Sequence, residues 1–291
     1  MQIINFLDPN HPDDLGISTM FFPGGEPHVK ISTIEDEKVQ INYNATSWED
    51  FGLLICLLNA LQHQDKTIHL FMPYFPGARQ DRNPDGNTPL TVEIYAEILS
   101  PYVSHLIIAD IHSDLALSII TQYFRSVERI SVRDIFTEYK SHFHHIDYII
   151  APDKGAIGRA TEAADVLGVP VIQCEKVRDF NTGNITGYEI LGDILPGEYL
   201  VVDDICDGGA TFNILGESFY DILHKIGGED VVESYGLHLY VTHPIFSKGF
   251  DDILDNYQRI YTTNSLDLYY EDYVDYITVF SLFNNRSINV D

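Results

Sequence analysis

Residues 199–211 read Tyr199-Leu200-Val201-Val202-Asp203-Asp204-Ile205-Cys206-Asp207-Gly208-Gly209-Ala210-Thr211. Four apolar residues predict a buried strand, and the strand runs straight into two acids. A turn of small residues follows, and then an amphipathic run from Phe212 to Ile226 that predicts a helix. Such a turn lets backbone N–H groups converge on a phosphate, and the helix dipole adds to the attraction. The paired acids suit ribose hydroxyls or a hydrated Mg²⁺. An acidic helix N-cap would account for Asp207 but leaves two acids at the strand end unexplained. The segment can therefore hold a ribose 5-phosphate. Asp203 and Asp204 would take the hydroxyls; Asp207, Gly208, Gly209, Ala210 and Thr211 would take the phosphate.

Other chemistry-bearing residues also sit at predicted strand ends. Arg79, Gln80, Asp81 and Arg82 follow a strand at Ile68–Met72, where open α/β sheets place ligand sites. Planar guanidinium forks there could grip phosphates, although a solvated charged turn would read the same way. His112 lies two residues beyond Asp110, a position more often held by a structural histidine. Asp153 stands at a strand end just before a helix, and a carboxylate is the more usual Mg²⁺ ligand. Lys176 and Arg178 share one side of an extended segment. They are either ordinary surface bases or a charge-stabilising pair for phosphoryl transfer. The remaining histidines, including His142, His144 and His145, read as surface residues.

Strands are predicted at 3–7, 29–33, 39–43, 68–72, 105–110, 148–151, 169–173, 199–203 and 235–242. Helices are predicted at 48–62, 91–100, 133–142, 156–167 and 211–226. This alternation argues for an α/β protein with mainly parallel sheets flanked by helices. Its length of 291 residues accommodates two such units, taken as 1–143 and 144–291. The polar stretch Glu175–Gly187 reads as a mobile loop or a hairpin.

Several of these segments, in this order, resemble the ribose-phosphate pyrophosphokinase (PRPP synthetase) family. The 199–211 loop is shared with type I phosphoribosyltransferases, but Pro73-Tyr74-Phe75-Pro76-Gly77-Ala78-Arg79-Gln80-Asp81-Arg82 resembles a nucleotide-binding signature that those enzymes lack. Phe22-Pro23-Gly24-Gly25-Glu26 is similar to the family's adenine-binding turn. Asp110-Ile111-His112-Ser113, Ala151-Pro152-Asp153-Lys154-Gly155-Ala156, Lys176-Val177-Arg178 and Thr242-His243-Pro244-Ile245-Phe246-Ser247 are similar to further family segments. The resemblance implies two phosphoribosyltransferase-like domains and transfer of the β,γ-pyrophosphoryl group of Mg-ATP to a ribose C1 hydroxyl. It implies ATP contacts from Phe22, Glu26, Arg79, Gln80, Asp81 and His112, Mg²⁺ ligation by His112 and Asp153, and catalysis by Lys176 and Arg178 on a closing loop. It further implies assembly into a homo-oligomer, a dimer or a hexamer. A non-catalytic regulatory subunit and a phosphoribosyltransferase are the alternatives. The retained His112, Asp153, Lys176 and Arg178 argue against the first, and the Arg79–Arg82 signature against the second.

The chain also departs from the family pattern. Gly208 replaces a threonine whose hydroxyl would cap a terminal phosphate, and Gly24 replaces an acid that would read the adenine amino group. Asn83 stands where many relatives are basic. A branch of similar enzymes in bacterial viruses uses ADP-ribose as acceptor, and a roomier loop at Gly208 is compatible with the internal phosphate of that diphosphate. Ribose 5-phosphate remains the default acceptor.

Bulk properties bound the rest. The chain is 45% apolar, with 17 Lys plus Arg against 44 Asp plus Glu and a net charge of −27. Such a surface repels nucleic acid and anionic membrane, so neither is expected as a partner, and a phosphate enzyme built on it must concentrate its few cations locally. Cys56, Cys174 and Cys206 have no metal-like spacing, and their odd number predicts reduced thiols in a cytoplasmic protein. Neither a leader nor a membrane-spanning run is apparent.

Overall fold

A computed structural model describes residues 1–7, 16–44, 47–179, 182, 185–227, 234–266 and 276–282. Phe180, Asn181, Gly183 and Asn184 of the expected 175–187 loop lie outside the described residues. The chain builds two compact units, one on Met1–Ile130 and one on Ser131–Asn264, and Tyr276–Ser281 joins the second.

The first unit holds a five-stranded parallel sheet in the order β1-β4-β5-β6-β7. The strands are β1 Gln2–Phe6, β4 Lys38–Tyr43, β5 Thr67–Phe71, β6 His105–Ala109 and β7 Val127–Ile130. Helices α1 Trp48–Gln62, α2 Thr91–Leu99 and α3 Asp114–Tyr123 form the crossovers that a parallel order requires. Helix α1 starts where the Ser47 side chain accepts the Asp50 amide at 3.1 Å, and it buries Phe51, Leu54, Leu58 and Leu61 along one stripe. A separate antiparallel hairpin, β2 Ser18–Phe21 with β3 Pro27–Lys30, exposes Met20, Phe21 and Phe22.

The second unit holds seven strands in the order β10-β9-β8-β11-β12-β13-β14, all parallel except the β9–β10 hairpin. They are β8 Tyr148–Ala151, β9 Val171–Arg178, β10 Ile185–Leu191, β11 Gly197–Cys206, β12 Tyr235–Pro244, β13 Arg259–Thr263 and β14 Ile277–Phe280. Helices α4 Val132–Glu138, α5 Ile157–Leu167, α6 Ala210–Gly227 and α7 Asp251–Leu254 accompany them, with a 3₁₀ turn at Lys140–Phe143. Strand β12 is buried on both faces. Leu237, Leu239 and Val241 join the core under α6, where Phe212, Leu215, Phe219 and Leu223 come from the helix at helical spacing. On the other face Tyr240 meets Phe136, with ring centroids 4.8 Å apart, and Phe136 stacks on Phe143 at 4.4 Å. These rings hold α4 and the 3₁₀ turn in the second unit. The units therefore divide at Ile130/Ser131, not between residues 143 and 144.

Two further expectations need correction. The helix read over 133–142 stops at Glu138 and closes in the 3₁₀ turn, because Phe143 must reach the aromatic cluster. The histidines are not all surface residues. His69, His105, His238 and His243 are buried, and His145 is half-buried with its ring 5.2 Å from that of His238. The strands end in polar side chains that accept some of this burial: His238 Nε2 lies 2.7 Å from Glu198 Oε2, and His105 Nδ1 lies 2.8 Å from Ser126 Oγ.

Burial holds the His69 imidazole below its ordinary value of 6.5, with His105 and Lys38 adding to the effect. Burial also lowers His145 and His238, against the opposing Glu198 carboxylate. A lowered folded-state value means that, as pH falls through 6.5, the unfolded chain takes up more protons than the folded one, so acid favours unfolding. The thermal midpoint is expected to fall as pH drops from about 8 to about 5, with the loss beginning near the ordinary imidazole value. His69→Phe, which cannot take up a proton, should flatten that slope; an unchanged slope would remove His69 from the account.

Candidate functional site

In the second unit the chemistry gathers at the C-terminal ends of adjacent strands. Strand β8 lies between β9 and β11, so Asp153 just beyond β8 has Lys176 of β9 on one side and Asp203–Asp207 of β11 on the other. Lys176 Nζ lies 2.6 Å from Asp153 Oδ2. The other carboxylate oxygen accepts the Gly155 amide at 2.8 Å and the Ala156 amide at 3.2 Å. Burial raises the Asp153 carboxyl, but the Lys176 bond and charge and the two amides outweigh it and leave the group below its ordinary range.

Asp203 and Asp204 are held by a residue that sequence reasoning missed. Arg159 of α5 places one Nη1 atom 3.1 Å from Asp203 Oδ1 and 3.2 Å from Asp204 Oδ1. The Asp204 amide donates to Asp203 Oδ1 at 2.9 Å. Burial pushes the Asp203 carboxyl well above its ordinary value and the neighbouring Asp204 charge adds to this, against the pull of Arg159. A signal for Arg159 existed. It sits in the inward, small-residue run of α5 with Ala156, Ala160, Ala163 and Ala164 buried, and a cation on such a face needs an acidic partner.

The loop after β11 turns through Gly209, whose φ of 75° is in the left-handed region that glycine tolerates. Helix α6 then begins at Ala210, with the Phe212 and Asn213 amides donating back to the Gly209 carbonyl at 2.9 and 3.0 Å. Asp207 accepts the Ser247 hydroxyl at 2.7 Å and thereby joins this loop to the one after β12. The roominess expected at Gly208 is not open space. A Cβ there would meet Cδ and Cε of Lys248 at 3.4 Å.

The 175–187 segment is a hairpin, with Lys176 paired opposite Tyr188. Strand alternation puts Cys174, Lys176 and Arg178 on one face, and Tyr188 shares it. Tyr188 is buried and its hydroxyl has no hydrogen-bond partner among the described residues. Burial raises its phenol, and the Asp153, Cys174 and Asp203 charges raise it further, so it remains a proton donor beside the acids.

In the first unit the 74–82 turn follows β5. Gly77 has φ 75°, and a Cβ there would lie 2.8 Å from the backbone at Thr91–Val92, so only glycine lets the turn sit against the start of α2. The turn leaves Arg79 and Gln80 exposed and Asp81 buried. Asp81 accepts the hydroxyl of Ser113, the N-cap of α3, and Arg82 Nε is 3.7 Å from its other oxygen. Gln80 accepts the Thr91 hydroxyl. His112 is exposed, two residues after buried Asp110, whose φ of 32° strains the end of β6. Phe22 and Glu26 frame the tip of the β2–β3 hairpin: the Phe22 amide donates to the Glu26 carbonyl at 2.9 Å, and the Gly25 amide to the Phe22 carbonyl at 2.8 Å. A Cβ on Gly24 would lie 2.7 Å from a Glu26 carboxylate oxygen, so an acid at position 24 would crowd a like charge.

Among the described residues there is no cluster of three or more acid, histidine or cysteine side chains able to hold a metal by itself. Asp153 in the second unit is a carboxylate of the kind Mg²⁺ usually takes, and His112 in the first unit is a less usual ligand. No helix among the described residues is long and apolar enough to cross a membrane.

The two α/β units carry a polar turn after β5 and an acid pair followed by a glycine turn after β11, and comparison with known proteins says which family has this arrangement. The chain is 30% identical over 232 residues to the ribose-phosphate pyrophosphokinase of Pyrococcus furiosus, covering 78% of this chain and 77% of that one. It is 27% identical over 249 residues to the enzyme of the same name from Thermoplasma acidophilum, covering 84% and 82%. The crystal structure of phosphoribosylpyrophosphate synthetase from Mycobacterium smegmatis superposes with a TM-score of 0.75 at 20% identity, covering 97% of this chain and 95% of that one. No protein-family model matches the chain. The protein belongs to the ribose-phosphate pyrophosphokinase family.

Removing Arg159 would leave two adjacent carboxylates without their cation. Arg159→Ala is expected to lose about 3–5 kcal/mol of unfolding free energy in urea titrations, and Arg159→Lys less. A loss in Arg159→Ala below about 1 kcal/mol would show that the acids are neutralised by something else.

Proposed function

We propose that this protein is an ATP-dependent diphosphokinase. It would transfer the β,γ-pyrophosphoryl group of Mg-ATP to the C1 hydroxyl of a 5-phosphorylated ribose and release AMP. Family membership supports the reaction class. The observation that carries the reading is the placement of Lys176, Asp153 and the Asp203–Thr211 loop on three neighbouring strand ends. In that arrangement Lys176 would be a phosphate-stabilising cation beside a loop that would cradle a ribose phosphate.

In this reading Asp203 and Asp204, oriented by Arg159, accept hydrogen bonds from the ribose hydroxyls. The amides around Gly209 and the Thr211 hydroxyl receive the 5-phosphate, aided by the N-terminus of α6. Arg79 and Gln80, exposed at the end of β5, contact the nucleotide, and Phe22 and Glu26 receive its base. The acceptor oxygen would attack the β-phosphorus in line: a new P–O bond forms, the bond to AMP breaks with its electron pair going to the AMP phosphate oxygen, and the hydroxyl proton passes to solvent. Lys176 and Arg178 stabilise charge on the equatorial oxygens. Asp153 in the second unit and His112 in the first are the residues that would contact Mg²⁺ carried by the nucleotide, and the ion would supply charge neutralisation.

Ribose 5-phosphate is the proposed acceptor, giving PRPP. ADP-ribose is the second reading, motivated by the missing hydroxyl at Gly208. Incubation with Mg-ATP and each acceptor, read as AMP release, separates the two by their relative kcat/KM. Absence of AMP with either acceptor would overturn the diphosphokinase assignment. Lys176→Ala is expected to lower kcat by about a hundredfold or more, with a smaller change in KM for the acceptor.

A further inference from the structure

We propose that Lys248 neutralises the acceptor's phosphate and so replaces the hydroxyl that Gly208 lacks. The inference rests on the ribose-phosphate reading of the 207–211 loop and adds to it a specificity-determining residue.

Lys248 is brought there by a tight return of the chain after β12. The Ile245 and Phe246 amides both donate to the Cys206 carbonyl at 3.0 Å, and the Ser247 amide donates to the Asp207 carbonyl at 3.0 Å. The Ser247 hydroxyl adds its 2.7 Å bond to the Asp207 carboxylate. Phe246 holds a φ of 42°, an uncommon conformation for a side chain of that size, and its ring packs 4.6 Å from that of Phe250. Two loops are thus laced together immediately before Lys248, which fixes where its side chain starts.

The stem of Lys248 lies along Gly208, with Cδ and Cε each 3.4 Å and Cγ 3.7 Å from where a Cβ at 208 would be. One more carbon–nitrogen bond of about 1.5 Å leads to the ammonium, so Nζ lies within about 5 Å of that point. A hydroxyl-bearing side chain at 208 would occupy the same side of the loop. Lys248 is exposed and makes no ion pair among the described residues. In a chain with 17 bases and 44 acids, a cation without an acidic partner at an anion-cradling loop is an available charge. Its chemistry suits a phosphate ester: an ammonium donates charge-assisted bonds to anionic oxygens without the fixed geometry a guanidinium demands.

Calorimetric titration of the whole protein with ribose 5-phosphate, ADP-ribose and unphosphorylated ribose tests this. Lys248→Ala is expected to weaken ribose 5-phosphate about tenfold or more, leave ribose unchanged, and regain most of the affinity as Lys248→Arg. Adding Gly208→Thr to Lys248→Ala should recover part of the loss by restoring the hydroxyl. Equal loss for both phosphorylated ligands places Lys248 on the phosphate attached to ribose and supports the inference; loss confined to ADP-ribose overturns it. Affinities unchanged for both ligands in Lys248→Ala overturn it, as does failure of the wild-type protein to bind either. Wild-type binding without AMP release overturns the diphosphokinase reading and leaves the role of Lys248 standing.

Discussion

Asp203 and Asp204 sit side by side at the end of a buried strand, and one guanidinium atom serves both. Two adjacent carboxylates in a poorly solvated place repel each other and each loses hydration, so the strand end is tolerable only with a cation built against it. Arg159 supplies that cation from α5, the helix that follows the Asp153 turn. The same contact therefore fixes α5 against β11 and sets the spacing between the Asp153 turn and the 207–211 loop. A chain of net charge −27 makes this arrangement expensive, and its cations are placed accordingly. Arg159, Lys176 and Lys248 all stand at the carboxyl ends of the second sheet's central strands or on the helix and loop beside them.

The first unit meets a related constraint by different means. Its parallel sheet also ends in loops with polar side chains, but the anchoring is through small residues and hydroxyls. Gly77 lets the 74–82 turn touch α2, and Asp81 takes the Ser113 hydroxyl at the start of α3. The consequence is a division of labour within three consecutive residues. Asp81 is buried and structural, whereas Arg79 and Gln80 are left exposed at the strand end. Asp110 adds backbone strain at the next strand end, just ahead of His112, and strain of that sort persists only where surrounding structure enforces it.

The central strands and most helices were legible because a parallel strand buried on both faces reads as a continuous apolar run and its crossover helix as a 3.6-residue pattern. Helix α6 emerged almost at its observed limits for this reason, whereas the strand read over 199–203 is the middle half of β11. Helix α3 escaped because its short run, Asp114–Tyr123, buries only Ala116 and Ile120 completely, and its N-cap Ser113 was read as part of a motif. Strands β7, β13 and β14 are four or five residues long, too short to separate from loop by periodicity. Among candidate site residues, Asp203 and Asp204 stood out at a predicted strand end, and Lys176 in the polar stretch read as a loop or hairpin. Arg159 was overlooked although its place in the small-residue run of α5 marked it, because a lone arginine in a helix is more often solvated. Lys248 was hidden because its closeness to Gly208 depends on two loops meeting across β11 and β12, a contact between residues 40 positions apart that no local pattern encodes.

Burial separates the roles of the two ion pairs at this site. Arg159 is 10% exposed and its acid partners 16% and 4%, so breaking those contacts strands charge away from water. Lys176 and Asp153 are 21% and 34% exposed, and a pair that wet gains little net energy from its contact, even at 2.6 Å. A phosphate group carries more charge than a carboxylate and can compete for an ammonium that is so weakly held. Asp153 would keep its two backbone amide donors when Lys176 leaves, so its charge would not be abandoned. In the proposed reaction Lys176 would thus be the cation that exchanges partners, and Arg159 the one that stays. That difference follows from solvent access alone, since both pairs join a basic side chain to carboxylate oxygen at hydrogen-bonding distance.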